Sequence, residues 1–365
     1  MILYLQDYVE PGDPDHHLAL ERCLALVPDS LSPHNDTSRR CLGATIYLEA
    51  GTYTFNEFAL PANKRIELRG SSQSGTRIVS SEGAYAFLID SEWTSKLFYG
   101  LYFDECGVRL LYNARGAIKF EACHFDSTPD WAICTEDEGV VRPWVDACVF
   151  NRCDGAIGIL YPKSDNWRIT NCTFLHSAGT RPAILSRSSG IRIYTCDFEN
   201  RSSVAVPAYI QVAPALDGSI AGGMTFIETC RFGGEQGTGF GPPPAMVLLG
   251  GTAETSGTMS FVRIDRCDFR TPQSTFNTTH AIALNKAVNM SVVMGNMFAR
   301  GYASLLKYNN LLGYLATNNI RDNVWEHNTL DSNAIPAQVV VAADRTDDPP
   351  GAANYTTLLN KPLSV

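Results

Sequence analysis

Residues 169–177 read ITNCTFLHS, and a near copy, RIYTCDFEN, occupies residues 192–200. Both spell an aliphatic residue, two spacers, a cysteine, one spacer and a phenylalanine. The frame recurs along the chain: Cys123, Cys148, Cys172, Cys196, Cys230 and Cys267 stand two residues before Phe125, Phe150, Phe174, Phe198, Phe232 and Phe269. Leu101 with Phe103 precedes this series, and Asn296 with Phe298 and Asn323 with Trp325 extend it. The nine aromatic anchors are separated by 22, 25, 24, 24, 34, 37, 29 and 27 residues, which is a repeat with loops of variable length. An apolar residue falls three before each small residue from Cys123 on: Phe120, Val145, Ile169, Ile193, Ile227, Ile264, Val293 and Ile320. A second apolar run lies further upstream in each repeat, as in AFLID (86–90), VRLLY (108–112), AYIQV (208–212) and AMVLL (245–249).

Each repeat thus holds about three short strands and no helix, the pattern of a stacked coil. Residues two apart in a strand share a face, so Cys and Phe of an anchor point inward together. The spacers His124, Val149, Thr173, Asp197, Arg231 and Asp268 point outward. Coils stacked at the ~4.8 Å strand spacing put the aromatic rings in one interior column and the small residues in another. The expected fold is all-β, a right-handed single-stranded parallel β-helix of the pectin-lyase-like type.

The eleven cysteines show no Cys-x-x-Cys and no paired Cys/His spacing, so they read as compact core residues near a narrow bend, not as a metal or disulfide framework. No loop has a recognisable Ca²⁺-ligand spacing, and no dinucleotide, Walker or Gly-x-Ser-x-Gly motif occurs in its required context; no cofactor or metal is expected. A net charge of -9 with no basic stripe argues against nucleic acid. The N-terminus MILYLQDYVEPGD has no basic segment before an apolar one, and no stretch approaches 18 apolar residues. Neither secretion nor membrane insertion is expected, which places synthesis in the cytoplasm.

The ends depart from the repeat. HHLALERCLALV (16–27) places Leu18, Leu20, Cys23, Leu24 and Val27 near helical spacing, with Asp13 and Asp15 as cap candidates. A short helix covering the open end of the stack is expected, since a terminal coil otherwise exposes its core and strand edge. The organisation is therefore an N-terminal strand and capping helix over 1–43, the β-helix over 44–345, and a Pro/Gly/Asn-rich tail or linker over 346–365.

Asp7 with Tyr8, Gly12 with Asp13, Asp15, EAGTY (49–53), LRG (68–70) and TRI (76–78) together resemble the opening of pectate-lyase-superfamily β-helices in bacteriophage tailspikes. Two departures mark a divergent member: His16 and His17 follow Asp15 where the family commonly has another Asp, and VEPGDPD replaces a Gly-rich loop. NYTTLLNKP (354–362) is similar to a Tyr-x-x-Leu-x-Asn-Lys-Pro element of phage tail fibres and spikes. The two matches cover about a quarter of the chain. They imply the fold, a homotrimer and a place in the virion tail beside other tail proteins, and they bring no catalytic residue with them.

The site must come from local reasoning. From first strand to bend residue the separations are 12 (Ile133 to Val145), 10 (Ile159 to Ile169), 9 (Ile184 to Ile193), 17 (Ile210 to Ile227) and 17 (Val247 to Ile264), so two low coils lie between taller ones. The floor of the resulting groove holds Tyr161, Lys163, Asp165, Arg187 and Arg192; one wall carries Glu136 and Asp137, the other Asp217. Carboxylates one or two coils apart span the separations used in glycoside hydrolysis, which makes Glu136, Asp137 and Asp165 the catalytic candidates. Lys163, Arg187 and Arg192 are suited to an anionic sugar, and Trp144, adjacent to inward Val145, faces out as a possible stacking surface. The leading reading is a phage spike or fibre that recognises and cleaves a bacterial surface polysaccharide, a depolymerase. Alternatives are a non-enzymatic fibre or decoration protein and a free polysaccharide lyase or epimerase.

Overall fold

The structure is a computed structural model that describes residues 1–29, 43–90, 94–111, 117–135, 142–161, 164, 166–175, 179–188, 190–199, 206–213, 224–233 and 243–249, and from there to 362 chiefly the strands. The chain forms two compact units, Met1–Thr173 and Phe174–Val365.

In the first unit three parallel sheets run side by side. The first sheet orders Ile2–Tyr4, Ala44–Leu48, Ile66–Gly70, Lys96–Tyr99, Ile118–Glu121, Trp144–Asp146 and Trp167–Thr170. The second orders Gly51–Phe55, Thr76–Ser80, Tyr102–Asp104, His124–Asp126 and Val149–Asn151, and the third Phe58–Leu60, Tyr85–Ile89, Gly107–Leu110, Trp131–Thr135 and Gly155–Ile159. One coil visits each sheet once and returns one strand further on, so Phe120 pairs with Val145, Phe125 with Phe150 and Ile133 with Ile157. The second unit repeats the plan: Ile193 pairs with Ile227, Phe198 with Phe232 and Ile210 with Val247. This is a parallel β-helix, as the repeat predicts. Within the final stretch, Tyr355–Thr356 pairs with Asn323–Val324 and Lys361–Pro362 with Thr329–Leu330.

Stacking brings like onto like in the interior. In the first unit Phe125 lies 4.6 Å from Phe103 and 5.2 Å from Phe150, with rings 7° and 5° from parallel. In the second, Phe174, Phe198, Phe232 and Phe269 follow one another at 4.6, 5.0 and 4.7 Å. Each ring is dry, and each such burial stabilises the fold by roughly 1.5–3 kcal/mol.

The backbone explains why a cysteine precedes each phenylalanine. The residue before the small position is left-handed in coil after coil: Ala122, Ala147, Asn171, Thr195, Thr229 and Arg266 have φ between 51° and 57°. In the Leu101 coil, Gly100 takes that conformation at 64°. This single residue turns the chain from the first sheet into the second, although most of these side chains disfavour the region. The following thiol braces the turn. Cys148, Cys172, Cys196 and Cys230 donate from Sγ to the carbonyl two residues earlier at 3.1–3.4 Å. Cys172 also reaches the Val145 carbonyl of the preceding coil, and Cys230 that of Ile193. Where asparagine takes the position, Asn296 Nδ2 donates to the Ile264 carbonyl and Oδ1 accepts from the Cys267 amide at 2.8 Å. No disulfide joins the described cysteines, all of which are buried. Burial pushes the Cys106 thiol up to about 12 and that of Cys153 to about 11, so neither is a nucleophile at neutral pH.

The helix His17–Leu26 buries Ala19, Leu20, Cys23 and Leu24. Asp15 accepts from the His17 amide at 2.8 Å, whereas Asp13 is engaged by Arg22 instead. The helix seats on the first coil: the His16 amide donates to the Thr54 carbonyl, and the His17 ring lies 4.4 Å from Phe58. Leu18, expected in the apolar stripe, is 39% exposed, because the buried stripe begins one residue later.

Two further expectations are corrected. Trp325 does not continue the phenylalanine column: it pairs with Val293 in the first sheet, and Leu330 pairs with Phe298. The frame had slipped, for Trp325 stands three residues before Asn328 and so fills the aliphatic slot. His124 is half-buried, not a surface residue, with its ring 4.8 Å from Tyr102; burial lowers its pKa. His176 lies outside the described residues.

Candidate functional site

The outward face of the first sheet, in the first unit, is built from residues that alternate with the buried ones. Ala44, Ile46, Ile66, Leu68, Phe98, Ile118 and Phe120 face the core. The register therefore sets Thr45, Glu67, Leu97, Lys119, Trp144 and Arg168 in one outward column. Tyr4, Tyr47, Arg69, Tyr99, Glu121, Asp146 and Thr170 form the next.

Aromatic and charged groups interlock along these columns. Lys119 Nζ sits 4.0 Å from the Trp144 ring centre and the Arg168 guanidinium 5.5 Å from it. Trp144 Nε1 donates to Thr170 Oγ1 at 3.0 Å, and that hydroxyl donates to Asp146 Oδ1 at 2.6 Å. Trp144 faces out with cations against its ring, so this surface presents ammonium and guanidinium groups as well as indole. Lower on the face, Glu67 accepts from Thr45 Oγ1 at 3.1 Å and from Arg69 Nε at 2.8 Å, while Arg69 lies 4.3 Å from the Tyr99 ring centre.

A cleft of about 440 Å³ opens there, lined by Gly43, Thr45, Arg65, Glu67, Leu97 and Lys119 among others. Its position follows from the loops. Phe58, Phe87, Val108, Ile133 and Ile157 share one column, and Leu68, Phe98, Phe120, Val145 and Ile169 another. Third-to-first-sheet separations on this register are 10, 11, 12, 12 and 12 residues. The low coil of this unit is thus that of Phe58 and Leu68, where the cleft lies. The separation of 10 expected for Ile159 to Ile169 took the wrong starting residue: Ile159 pairs with Thr135, and Ile133 pairs with Ile157. The two stretches leading to Val145 and Ile169 are therefore equal in number of residues, 12 each.

Beneath the cleft is a residue that sequence reasoning passed over. Lys96 occupies an inward slot between Ile66 and Ile118 and is 1% exposed. Its Nζ donates to the Lys64 carbonyl and to Thr94 Oγ1, and no carboxylate pairs with it among the described residues. Burial drives its pKa from 10.5 down to about 7. The signal was present in KLFY (96–99), where lysine takes the position that isoleucine holds in the coils on either side.

The residues named from sequence are distributed as follows. Glu136, Asp137, Lys163, Asp165 and Asp217 lie outside the described residues. Trp144 and Tyr161 belong to the first unit, Tyr161 half-buried just after the strand Gly155–Ile159. Arg187 and Arg192 belong to the second. Arg192 sits 5.6 Å from the Phe226 ring centre. Arg187 is half-buried with Nε and Nη1 shielded and without a hydrogen-bond partner, and burial lowers its pKa.

The carboxylates on the second sheet of the first unit are engaged by neighbouring side chains. Asp126 accepts from Tyr102, Ser127, Asn151 and Arg152, and Asp104 from Arg77. Burial raises the Asp126 pKa, yet its hydrogen bonds to Arg152 and Tyr102 outweigh that and hold it below the usual range. Such a group stays ionised and is a poor general acid.

No family model matches the sequence, and no curated protein matches it. Solved structures do. A doubly substituted tailspike protein of E. coli bacteriophage HK620 is 14% identical with a TM-score of 0.51, covering 90% of this chain and 62% of that one. A second form of that tailspike, in complex with a pentasaccharide, is 15% identical over the same shares with a TM-score of 0.49. ORF18 of Geobacillus virus E2 is 13% identical with a TM-score of 0.44, covering 90% of this chain and 57% of that one. The chain therefore spans about three-fifths of the length of these proteins. At this identity the likeness to the first of these, with its TM-score of 0.51, shows the fold alone, a parallel β-helix.

Proposed function

We propose that the chain is the β-helical part of a phage tail spike or fibre and that it recognises a bacterial surface polysaccharide. The observation that carries this reading is the outward face of the first sheet in the first unit. It is a straight column of aromatic, cationic and carboxylate side chains held in place by one another, running past an open cleft. The coil spacing of ~4.8 Å gives the five steps from Thr45 to Arg168 a length of about 24 Å, suited to an extended chain of sugars. Preorganised side chains lose little entropy on binding. The fold of the HK620 tailspike, which one structure shows with a pentasaccharide, is consistent with that use.

In this proposal cleavage belongs to Glu136, Asp137 and Asp165, since the carboxylates described on the outward faces are largely tied to cations or hydroxyls. The chain would act as a homotrimer on the virion tail, alongside other tail proteins. The test is binding of the full chain to purified capsular and O-polysaccharides by calorimetry, with product release followed in parallel. Binding that weakens about tenfold in Trp144→Ala is the expected result; absence of binding to every polysaccharide overturns the reading. Oligosaccharide release that disappears in Glu136→Gln, Asp137→Asn or Asp165→Asn assigns cleavage, and binding without release leaves a non-enzymatic fibre.

A further inference from the structure

The charges on this face point to a more specific ligand. Arg22, Arg69, Arg77 and Arg152 of the first unit each pair with a carboxylate. Arg65, Arg142 and Arg168 do not: all three are exposed, and among the described residues none meets a carboxylate. Arg65 is built into the cleft. Its aliphatic stem lies against Gly43, where an added Cβ would come within 3.0 Å of Cγ and 3.1 Å of Cδ. Arg168 stands four coils along the column from Glu67, with Lys119 midway. Lys119 is shared between Glu121, at 2.7 Å, and the Trp144 ring.

Arg65, Lys119 and Arg168 stand on every second coil, about 10 Å apart, a distance on the order of a disaccharide, and Arg142 belongs to the coil between the last two. Arg65 together with the two outward columns, which carry Arg69, Lys119 and Arg168 against Glu67, Glu121 and Asp146, has one more cation than anion, on a chain whose net charge is -9. Unpaired, exposed guanidinium groups present a planar fork that matches carboxylate or phosphate oxygens in pairs. A neutral glycan would leave that capacity unused.

Resting on the polysaccharide reading above, the geometry points to an anionic polysaccharide as the ligand of this face, with one negative charge in roughly each disaccharide engaging Arg65, Lys119 and Arg168 in turn. The cleft at Arg65 is the anchoring subsite, because there the cation is held by packing and has no competing carboxylate. Arg168 and Lys119 then fix the register of the bound chain.

The test uses the full chain on an array of purified bacterial capsular and O-polysaccharides. Each acidic member is printed untreated, with its uronic acids reduced to alcohols, and with its phosphates removed. Binding confined to acidic members and lost on one of the two treatments supports the inference, and the effective treatment identifies carboxylate or phosphate. Arg65→Gln and Arg168→Gln are each expected to weaken that binding about tenfold or more, and salt to weaken it further by screening. Gly43→Ala, which displaces the Arg65 stem while retaining its charge, should weaken it less. Arg266→Gln, in the second unit, is the control expected to bind normally. Equal binding to neutral and acidic members, or no effect of Arg65→Gln in a chain with an unchanged circular dichroism spectrum, overturns the anionic ligand and leaves the polysaccharide reading standing. Binding to no member overturns both.

Discussion

The interior columns and the outward face of the first sheet are made by the same coil register, yet they select side chains by opposite rules. Inside, Phe103, Phe125 and Phe150 repeat one residue because identical flat rings stack at the strand spacing with no charge to balance. Outside, Lys119, Trp144 and Arg168 must differ, because like charges one strand apart repel while a ring between two cations attracts both. Repetition in the sequence is thus a mark of burial. Variation on the same register marks the solvent face, where ligands are met.

The largest expected effect comes from breaking the interior rule. Phe125→Ala leaves a cavity between Phe103 and Phe150 and should cost about 3–5 kcal/mol, read as a lower denaturation midpoint; a loss below 1 kcal/mol would mean the column is not close-packed. Lys96 breaks that rule naturally, being a cation in an aliphatic slot. Its folded pKa, about 7, lies below the ordinary 10.5. Between those values the unfolded chain binds the extra proton, so stability should rise with pH through that window and be lowest below pH 7. Desolvation of the charge sets a ceiling of about 4–5 kcal/mol, and two lost hydrogen bonds offset about 1 kcal/mol each. Lys96→Met should accordingly stabilise the protein by about 2–3 kcal/mol at pH 6 and flatten the pH dependence of its melting temperature. An unchanged profile would show that Lys96 is not the titrating group.

A smaller effect tests the bend. Cys172→Ala keeps a small residue at the turn but removes the thiol bonds to the Thr170 and Val145 carbonyls. A loss of about 1 kcal/mol is expected, with the fold intact by circular dichroism. The smallest effect belongs to the outer face of the second unit. Asp197, Arg231 and Asp268 lie in one outward column, and Arg231 pairs with Asp197 and Glu199. Arg231→Gln should cost less than about 1 kcal/mol, and less still at high salt. A cost equal to that of Phe125→Ala would erase the distinction between the two kinds of column.

The anchor pattern made the fold legible because both its causes are local. Alternation fixes which side chains face inward, and the spacing of Ile169, Cys172 and Phe174 records a strand, a one-residue turn and another strand. The left-handed turn itself was not legible, since Ala147, Thr195 and Arg266 carry no glycine signature. Nor was the slip at Trp325, where a second frame five residues later fits as well. The site was far less visible than the fold. Trp144 was placed on the outer surface by its neighbour Val145, but its cation partners are 25 and 24 residues away in sequence. Counting from Ile159 in place of Ile157, the register partner of Ile133, made that one separation two residues too short.

By itself, then, the sequence determined a stacked coil of strands, its aromatic interior and its capping helix, because each depends on residues within a turn or two of one another. Only the tertiary structure decided the column from Thr45 to Arg168, the cleft beside it and the cation buried below. Those depend on the register between coils, which loops of unequal length set and which no single repeat encodes.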